Sequence, residues 1–349
     1  MAAIRPRDLL SDDLLERLGR SGALAADIAA LAEVGYLNIA LPTEFGGLGC
    51  TLRQAACGQR RLARYAPDAA LAVSAHLYWT GAAADAYRAG DDSMRWVLLE
   101  AARGALFAGG HGEVGGDLRF ADPRSRCEPS GDSGFRFRDP GVLSTMTPAW
   151  DWIAVHAVHA VGRPQSVIAF AGRGTRCTPA FRVARVSSAG TPGDVFTTSA
   201  LTWGHSILAS VQYSDARRAF NDAITWCAEA ATPAAFAEPV DPAVPASPVP
   251  ASPAPAVARP AEAAGHVTGR PTGRWPVAEA GILLDEMKAK IAEITHPWQL
   301  VRPPTPDLGG QHLISLYAMR HEVAAGAASV HALAGQLTGT AAPARPLSL

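Results

Sequence analysis

Phe107–Asp117 reads FAGGHGEVGGD, and further along Val142–Trp152 reads VLSTMTPAWDW. Each stretch is an apolar run that breaks into glycine or hydroxyl residues, the composition a backbone needs where it approaches a flat ligand closely. Gly109, Gly110, Gly112, Gly115 and Gly116 carry no side chain to hold a ligand off, while His111, Glu113, Ser144, Thr145 and Thr147 supply groups that orient one. A glycine-rich turn beside an ordinary strand has the same local composition, so the fold assignment turns on a third segment upstream.

That segment is Ala30–Gly49, ALAEVGYLNIALPTEFGGLG, which passes from an amphipathic helix through a proline turn into a double-glycine loop. Through Gly35, Pro42, Glu44, Gly46, Gly47, Leu48 and Gly49, then Glu113, Gly115 and Asp117, then Leu143, Ser144, Thr145 and Met146, the chain resembles the acyl-CoA dehydrogenase family. The resemblance implies an α+β multidomain fold: an N-terminal helical bundle, a central antiparallel β-barrel or sandwich, and a shortened C-terminal helical bundle. It also implies FAD, with His111, Gly112, Glu113, Asp117, Ser144, Thr145 and Thr147 as the cofactor-binding residues. Ser144 and Thr145 would face the flavin N5 edge, and the loop from Gly110 to Asp117 its pyrimidine side. The sequence departs from the family pattern at Gly112, where a hydroxyl residue is common, and at Met146, where a polar residue is common.

The activity so implied is a flavin-dependent oxidation, the α,β-dehydrogenation of an acyl thioester borne by CoA or a carrier protein. Such a reaction needs a carboxylate to take the α-proton while the flavin accepts the β-hydride. Glu279, Glu286, Glu293 and Glu322 lie on the C-terminal helical segments, but none stands in a recognisable motif, so no catalytic residue is assigned. Two other functions fit the same residues. One is a flavin monooxygenase, which requires no α-proton base; the other is a degenerate subunit completing a hetero-oligomer with a homologue. The family also implies assembly into homo- or hetero-oligomers.

Period and composition divide the chain further. Up to residue 104 the apolar residues recur at helical spacing, as in LLSDDLLERLGR and LRQAACGQRRLARYA, with Ser11 and Asp12 as caps and Gly19 and Gly35 as stops. Residues 105–216 form short runs separated by turn residues, among them WIAVHAVHAV, FRVARVSS and ILASVQYSD, and are expected to be strands. TWGHSILASVQYSDARRA resembles the family segment that closes this β domain. Residues 217–231 are expected to form a helical connection. Residues 232–270, rich in proline and alanine, are too poor in bulky side chains to repay ordering and are expected to be a spacer. The family's long helix should begin there, which suggests its loss, and residues 271–349 form the shortened helical domain.

Composition excludes several classes. With 349 residues, 48% hydrophobic, 18% charged and a formal net charge of -1, the chain carries no electrostatic footprint for nucleic acid. No apolar run approaches the roughly 20 residues a membrane helix needs, and the charged amphipathic start is unlike a secretory signal. Cys50, Cys57, Cys127, Cys177 and Cys227 include no CxxC pair, so the expectation is reduced thiols, a cytoplasmic setting and no metal centre. His156 and His159 fall in a β-branched alternating context, which puts them on opposite faces of a strand. His76, in VSAHLYWTG, sits by the resemblance on the helix that lines the acyl channel, where packing is its expected role.

Overall fold

Ser11 opens the first long helix as the sequence suggests, its hydroxyl accepting from Leu14 N at 3.2 Å. This computed structural model describes residues 5–109, 126–130, 134–138, 149–159, 165–173, 181–188, 195–231, 274–299 and 309–339. The N-terminal helices are α1 (Pro6–Leu9), α2 (Asp12–Ser21), α3 (Leu24–Glu33), α4 (Leu52–Tyr65), α5 (Pro67–Arg88) and α6 (Arg95–Ala102). Gly19 does not stop α2. It lies inside the helix, where an added Cβ would stand 2.9 Å from Tyr65 O, and the left-handed stop is Gly22 at φ 63°. Gly35, at φ 75°, does follow α3.

The double-glycine loop folds back on the chain before it. Gly49 N donates to Leu41 O at 2.7 Å and Cys50 N to Ile39 O at 2.8 Å. Gly46 supplies the positive φ, 81°, that the turn requires. Gly47 is needed for a different reason: a Cβ there would collide with the backbone carbonyls of Leu41 and Asn38. Backbone cannot step aside as a flexible side chain can, so Gly47→Ala is expected to destabilise by about 2–3 kcal/mol, measurable by urea denaturation. Gly46→Asn, which tolerates a positive φ, should cost about 1 kcal/mol or less.

Helix α5 is buried from Ala69 to Ala86 on nearly every side, which explains its weak amphipathic signal and its alanine content. After α6 the chain enters a sheet of β1 (Phe107–Gly109), β2 (Arg126–Ser130), β3 (Gly134–Arg138), β4 (Trp152–His159), β5 (Gln165–Gly172) and β6 (Phe181–Ser188). The order is β3-β2-β4-β5-β6, with β1 also paired to β4. The sheet is mixed, whereas the sequence suggested antiparallel pairing throughout. The β2–β3, β4–β5 and β5–β6 pairs are antiparallel, while β1 and β2 each run parallel to β4. His156 and His159 both fall on β4, as expected.

The last described strand ends at Ser188, and helix α7 runs from Val195 to Ala231, 37 residues. This corrects one expectation: the run Ile207–Asp215 is helix, not the last strand, and residues 217–231, expected to be helical, continue the same helix. Residues 195–216 are buried or nearly so all round, so no polar face marks a helical period, and Val211-Gln212-Tyr213-Ser214 imitates strand alternation. A long helix therefore precedes residues 232–270, where the family's helix was expected to begin and which lie outside the described residues. Helices α8 (Arg274–Thr295) and α9 (Gly309–Thr338) follow. No described helix is long and apolar enough to cross a membrane.

The chain divides into two compact units, one of Met1–Asp215, Glu286–Ala325 and Leu347–Leu349, the other of Ala216–Asp285 and Gly326–Pro346. The first holds the sheet, where Cys127, Val155, Ala157, Val167 and Ala169 form one apolar cluster. In the second, Ala223, Cys227, Ala334 and Leu337 pack together, flanked by Phe220, Ile224, Trp226 and Val277.

Candidate functional site

His111, Gly112, Glu113, Asp117, Ser144, Thr145 and Thr147, the residues the sequence singles out, all lie outside the described residues. Their flanks do not. Strand β1 leads directly into Gly110 and pairs with the start of β4, Phe107 with Trp152 and Gly109 with Ala154. Leu106 N donates to Asp151 Oδ2 at 2.8 Å, while Asp151 N and Trp152 N both donate to Leu106 O, at 2.9 and 3.0 Å. At strand dimensions Gly109 and Trp152 stand about 8 Å apart. The chain thus leaves toward the glycine segment and returns from the hydroxyl segment at neighbouring points of one parallel ladder.

An aromatic wall backs this ladder. The Trp96 ring lies 5.2 Å from Trp152, 5.4 Å from Phe170 and 5.9 Å from Phe107, and Trp79 lies 5.1 Å from Phe170 and 6.0 Å from Phe196. Three of these contacts are edge-to-face, Trp96–Phe107 is tilted and Trp79–Phe196 is stacked, and together they tie α5, α6, β1, β4, β5 and α7. The space between α5 and α7 is filled as well. Trp203 of α7 lies over Gly81 of α5, where a Cβ would come within 2.6 Å of Trp203 Cε2, and its Nε1 donates to Asp85 Oδ2 at 2.8 Å. Burial pushes the Asp85 carboxyl up to about 6, against the lowering by Trp203 and by Arg88, whose guanidinium sits 3.2 Å away.

His76 is a structural tie. Its Nε2 stands 3.0 Å from Leu37 O, and its Nδ1 accepts from Phe107 N at 3.3 Å. These partners fix the tautomer: Nδ1 accepts, so Nε2 carries the proton and donates. The ring is neutral, and burial lowers its pKa to about 4. With both nitrogens engaged by backbone, it joins the double-glycine region to β1 and has no nitrogen left for a substrate.

Sequence reasoning missed a second polar array, on the first half of α7 and the start of α9. Thr202 Oγ1 and His312 Nε2 are 2.9 Å apart, the His205 ring meets Tyr317 edge-on at 5.1 Å, and Arg320 donates to Gln212. Ser206 Oγ and Trp298 Nε1 are buried with no hydrogen-bond partner among the described residues. Buried polar atoms are normally satisfied, so two such groups in one unit mark where a polar ligand or water belongs. The signal in the sequence was present but unread: Ser199, Thr202, Ser206 and Ser210 recur at three- and four-residue spacing.

The candidate carboxylates fare differently. Glu279, Glu286, Glu293 and Glu322 are all exposed, and Glu322 pairs with Lys290 at 3.2 Å. No group of metal-ligating side chains occurs among the described residues. The described thiols Cys50, Cys57, Cys127 and Cys227 are free, and of these only Cys57 is exposed.

No protein-family model matches the chain, and no curated protein sequence matches it significantly. Solved structures do. KijD3, crystallised with FMN and dTDP-3-amino-2,3,6-trideoxy-4-keto-3-methyl-D-glucose, superposes with a TM-score of 0.67 at 17% identity, covering 97% of this chain and 84% of that one. The dibenzothiophene monooxygenase TdsC from Paenibacillus sp. A11-2, crystallised with FMN and indole, gives 0.61 at 16% identity over 94% and 86%. Butyryl-CoA dehydrogenase from Megasphaera elsdenii gives 0.63 at 12% identity over 96% and 88%. Identities this low establish architecture and not chemistry. The chain has the acyl-CoA dehydrogenase fold.

Proposed function

We propose that this chain is a flavin-dependent oxidoreductase that oxidises a small molecule with oxygen, as a monooxygenase of this fold does. The observation that carries the reaction type is the exposure of all four C-terminal glutamates considered as bases. Taking a weakly acidic α-proton from a thioester requires a carboxylate held against the substrate in a water-poor site, and a solvated glutamate lacks that setting. The filling of the α5–α7 space by Trp79, Trp203 and Phe196 supports the same reading, since by the resemblance this helix lines the acyl channel.

The described framework fits a flavin. The β1–β4 ladder gathers the flanks of the two segments assigned to the flavin in this proposal, and Ser206 and Trp298 offer buried polar atoms within the same unit. In this proposal His111, Gly112, Glu113, Asp117, Ser144, Thr145 and Thr147 hold the isoalloxazine. The bound flavin, once reduced, supplies the oxygen-activating chemistry. The chain's own part is to orient the ring through the Ser144 and Thr145 hydroxyls and to keep water out with the aromatic wall. KijD3 and TdsC were crystallised with FMN, while the family resemblance implies FAD; chromatography of the flavin released by heat identifies which is used. Assembly with a second copy or a homologue belongs to the same proposal.

Anaerobic mixing tests the reaction type. Flavin-loaded protein is expected to keep the visible absorbance of oxidised flavin when acyl-CoA is added, and to bleach when a flavin reductase and NADH are supplied. Bleaching by acyl-CoA alone would establish dehydrogenation instead. Glu279→Gln, Glu286→Gln, Glu293→Gln and Glu322→Gln should each leave turnover within about twofold of the parent, and a loss of about 100-fold in any of them would identify a base.

A further inference from the structure

A cavity of about 350 Å³ lies between α1 and the first turns of α4, apart from the site above. Its floor is apolar and close-packed: Pro6 and Gly58 are buried, and a Cβ on Gly58 would stand 3.0 Å from Pro6 Cβ. Around it stand Arg5, Arg7 and Arg53. Arg5 and Arg7 keep more than half of their side-chain surface exposed. A fourth guanidinium, Arg60, donates to the sulfur of Cys57 at 2.9 Å, and its other nitrogen reaches Ser210 at 3.4 Å, so its head is fixed beside the cavity.

In a chain with 31 basic and 32 acidic residues, four guanidiniums about one small hollow are a local excess. Asp8, 3.5 Å from Arg5 and 3.6 Å from Arg7, offsets part of it. The cap of α4 is already satisfied by the reciprocal Thr51–Gln54 box, so the cap amides are not what would hold an anion here. Planar guanidinium forks suit phosphate oxygens, and a volume near the lower end of the ligand-pocket range suits a small organic body behind one phosphate.

We propose that this cavity binds a phosphomonoester, its dianionic head among Arg5, Arg7 and Arg53 and its organic body on the Pro6–Gly58 floor. Cys57, exposed and on the lining, reports on occupancy without being part of the recognition.

The test follows the labelling of Cys57 in the full chain, with AMP as probe and adenosine as the neutral control. Two disulfide reagents are used, anionic 5,5′-dithiobis(2-nitrobenzoate) and neutral 4,4′-dithiodipyridine. In each the Cys57 thiolate attacks one sulfur, forms a mixed disulfide and releases the other half as a thiolate. Cys57→Ser identifies the signal. AMP is expected to protect Cys57 from both reagents at submillimolar to millimolar concentration, adenosine is not, and the anionic reagent should lose its rate advantage at high salt. Arg53→Gln should raise the protecting AMP concentration about tenfold while leaving the rate of the neutral reagent unchanged, which shows that the fold is intact. Absence of protection at about 10 mM AMP, far above any affinity of consequence, overturns the proposal, as does equal protection by adenosine.

Discussion

Trp203→Ala is expected to destabilise the protein by about 4–5 kcal/mol, a large share of the stability of an ordinary domain. The indole is buried against Gly81, and its nitrogen is the donor to the buried carboxyl of Asp85. Truncation leaves both a cavity and a carboxylate with one donor fewer. Trp203→Phe keeps most of the volume and should cost about 1–2 kcal/mol, the hydrogen bond and little else. Gly81→Ala separates the two parts of this account. In the parent it should cost about 2–3 kcal/mol, because the added methyl meets the indole. In Trp203→Ala it should cost about 1 kcal/mol or less, because the methyl enters vacated space. Urea denaturation of the four proteins measures the cycle. Additive losses would mean that Trp203 and Gly81 do not meet as the structure has them.

His76 should make stability depend on pH in a direction its geometry fixes. Its folded-state pKa, lowered to about 4, lies below the ordinary value of 6.5, so the unfolded chain binds the extra proton first. The neutral tie is fully present above about pH 6.5 and is lost as pH falls toward 4, a change of about 3 kcal/mol. Asp85 acts with the opposite sign. Its folded pKa is raised to about 6 from 3.8, so its contribution is present at low pH and is lost as pH rises through 6. Between pH 4 and 6 the two slopes oppose each other in the parent. His76→Gln removes one of them, and its stability relative to the parent should rise as pH falls from 6.5 to 4. It should also cost about 2–4 kcal/mol at pH 7, because Leu37 O and Phe107 N lose a buried partner. A constant difference between the two proteins across this range contradicts the assignment of His76 as a buried neutral tie.

The loop signature was legible in the sequence because its glycines answer backbone demands that few other residues meet. Gly46 takes a positive φ and Gly47 admits two carbonyls, both purely local requirements. Helices α2, α3, α4 and α6 were legible because each keeps an exposed face, whereas α5 is buried on nearly every side. Residues 195–216 were not, because a helix buried all round displays no period and its serines and threonines read as turns. The mixed pairing of the sheet was also hidden: β1 joins β4 across residues far apart in the chain, and nothing local in Phe107–Gly109 specifies a parallel partner. Of the site, sequence reading named the two segments proposed here to face a cofactor, which lie outside the described residues. It missed Thr202, Ser206, His312 and Trp298, whose meaning comes only from being brought together by α7, α9 and the turn at Pro297–Gln299.

In the function proposed, the glycine segment and the hydroxyl segment bind the same isoalloxazine ring. Fluorescence titration of FMN and FAD with the parent protein, with Thr145→Val, with Glu113→Ala and with the double variant tests it in one series. Saturable quenching by the parent is predicted, with each single variant weakening binding by about tenfold and the double variant departing from additivity by about 1 kcal/mol, as residues on one ligand do. A parent protein that binds neither flavin, or variants that leave its affinity unchanged, would contradict it.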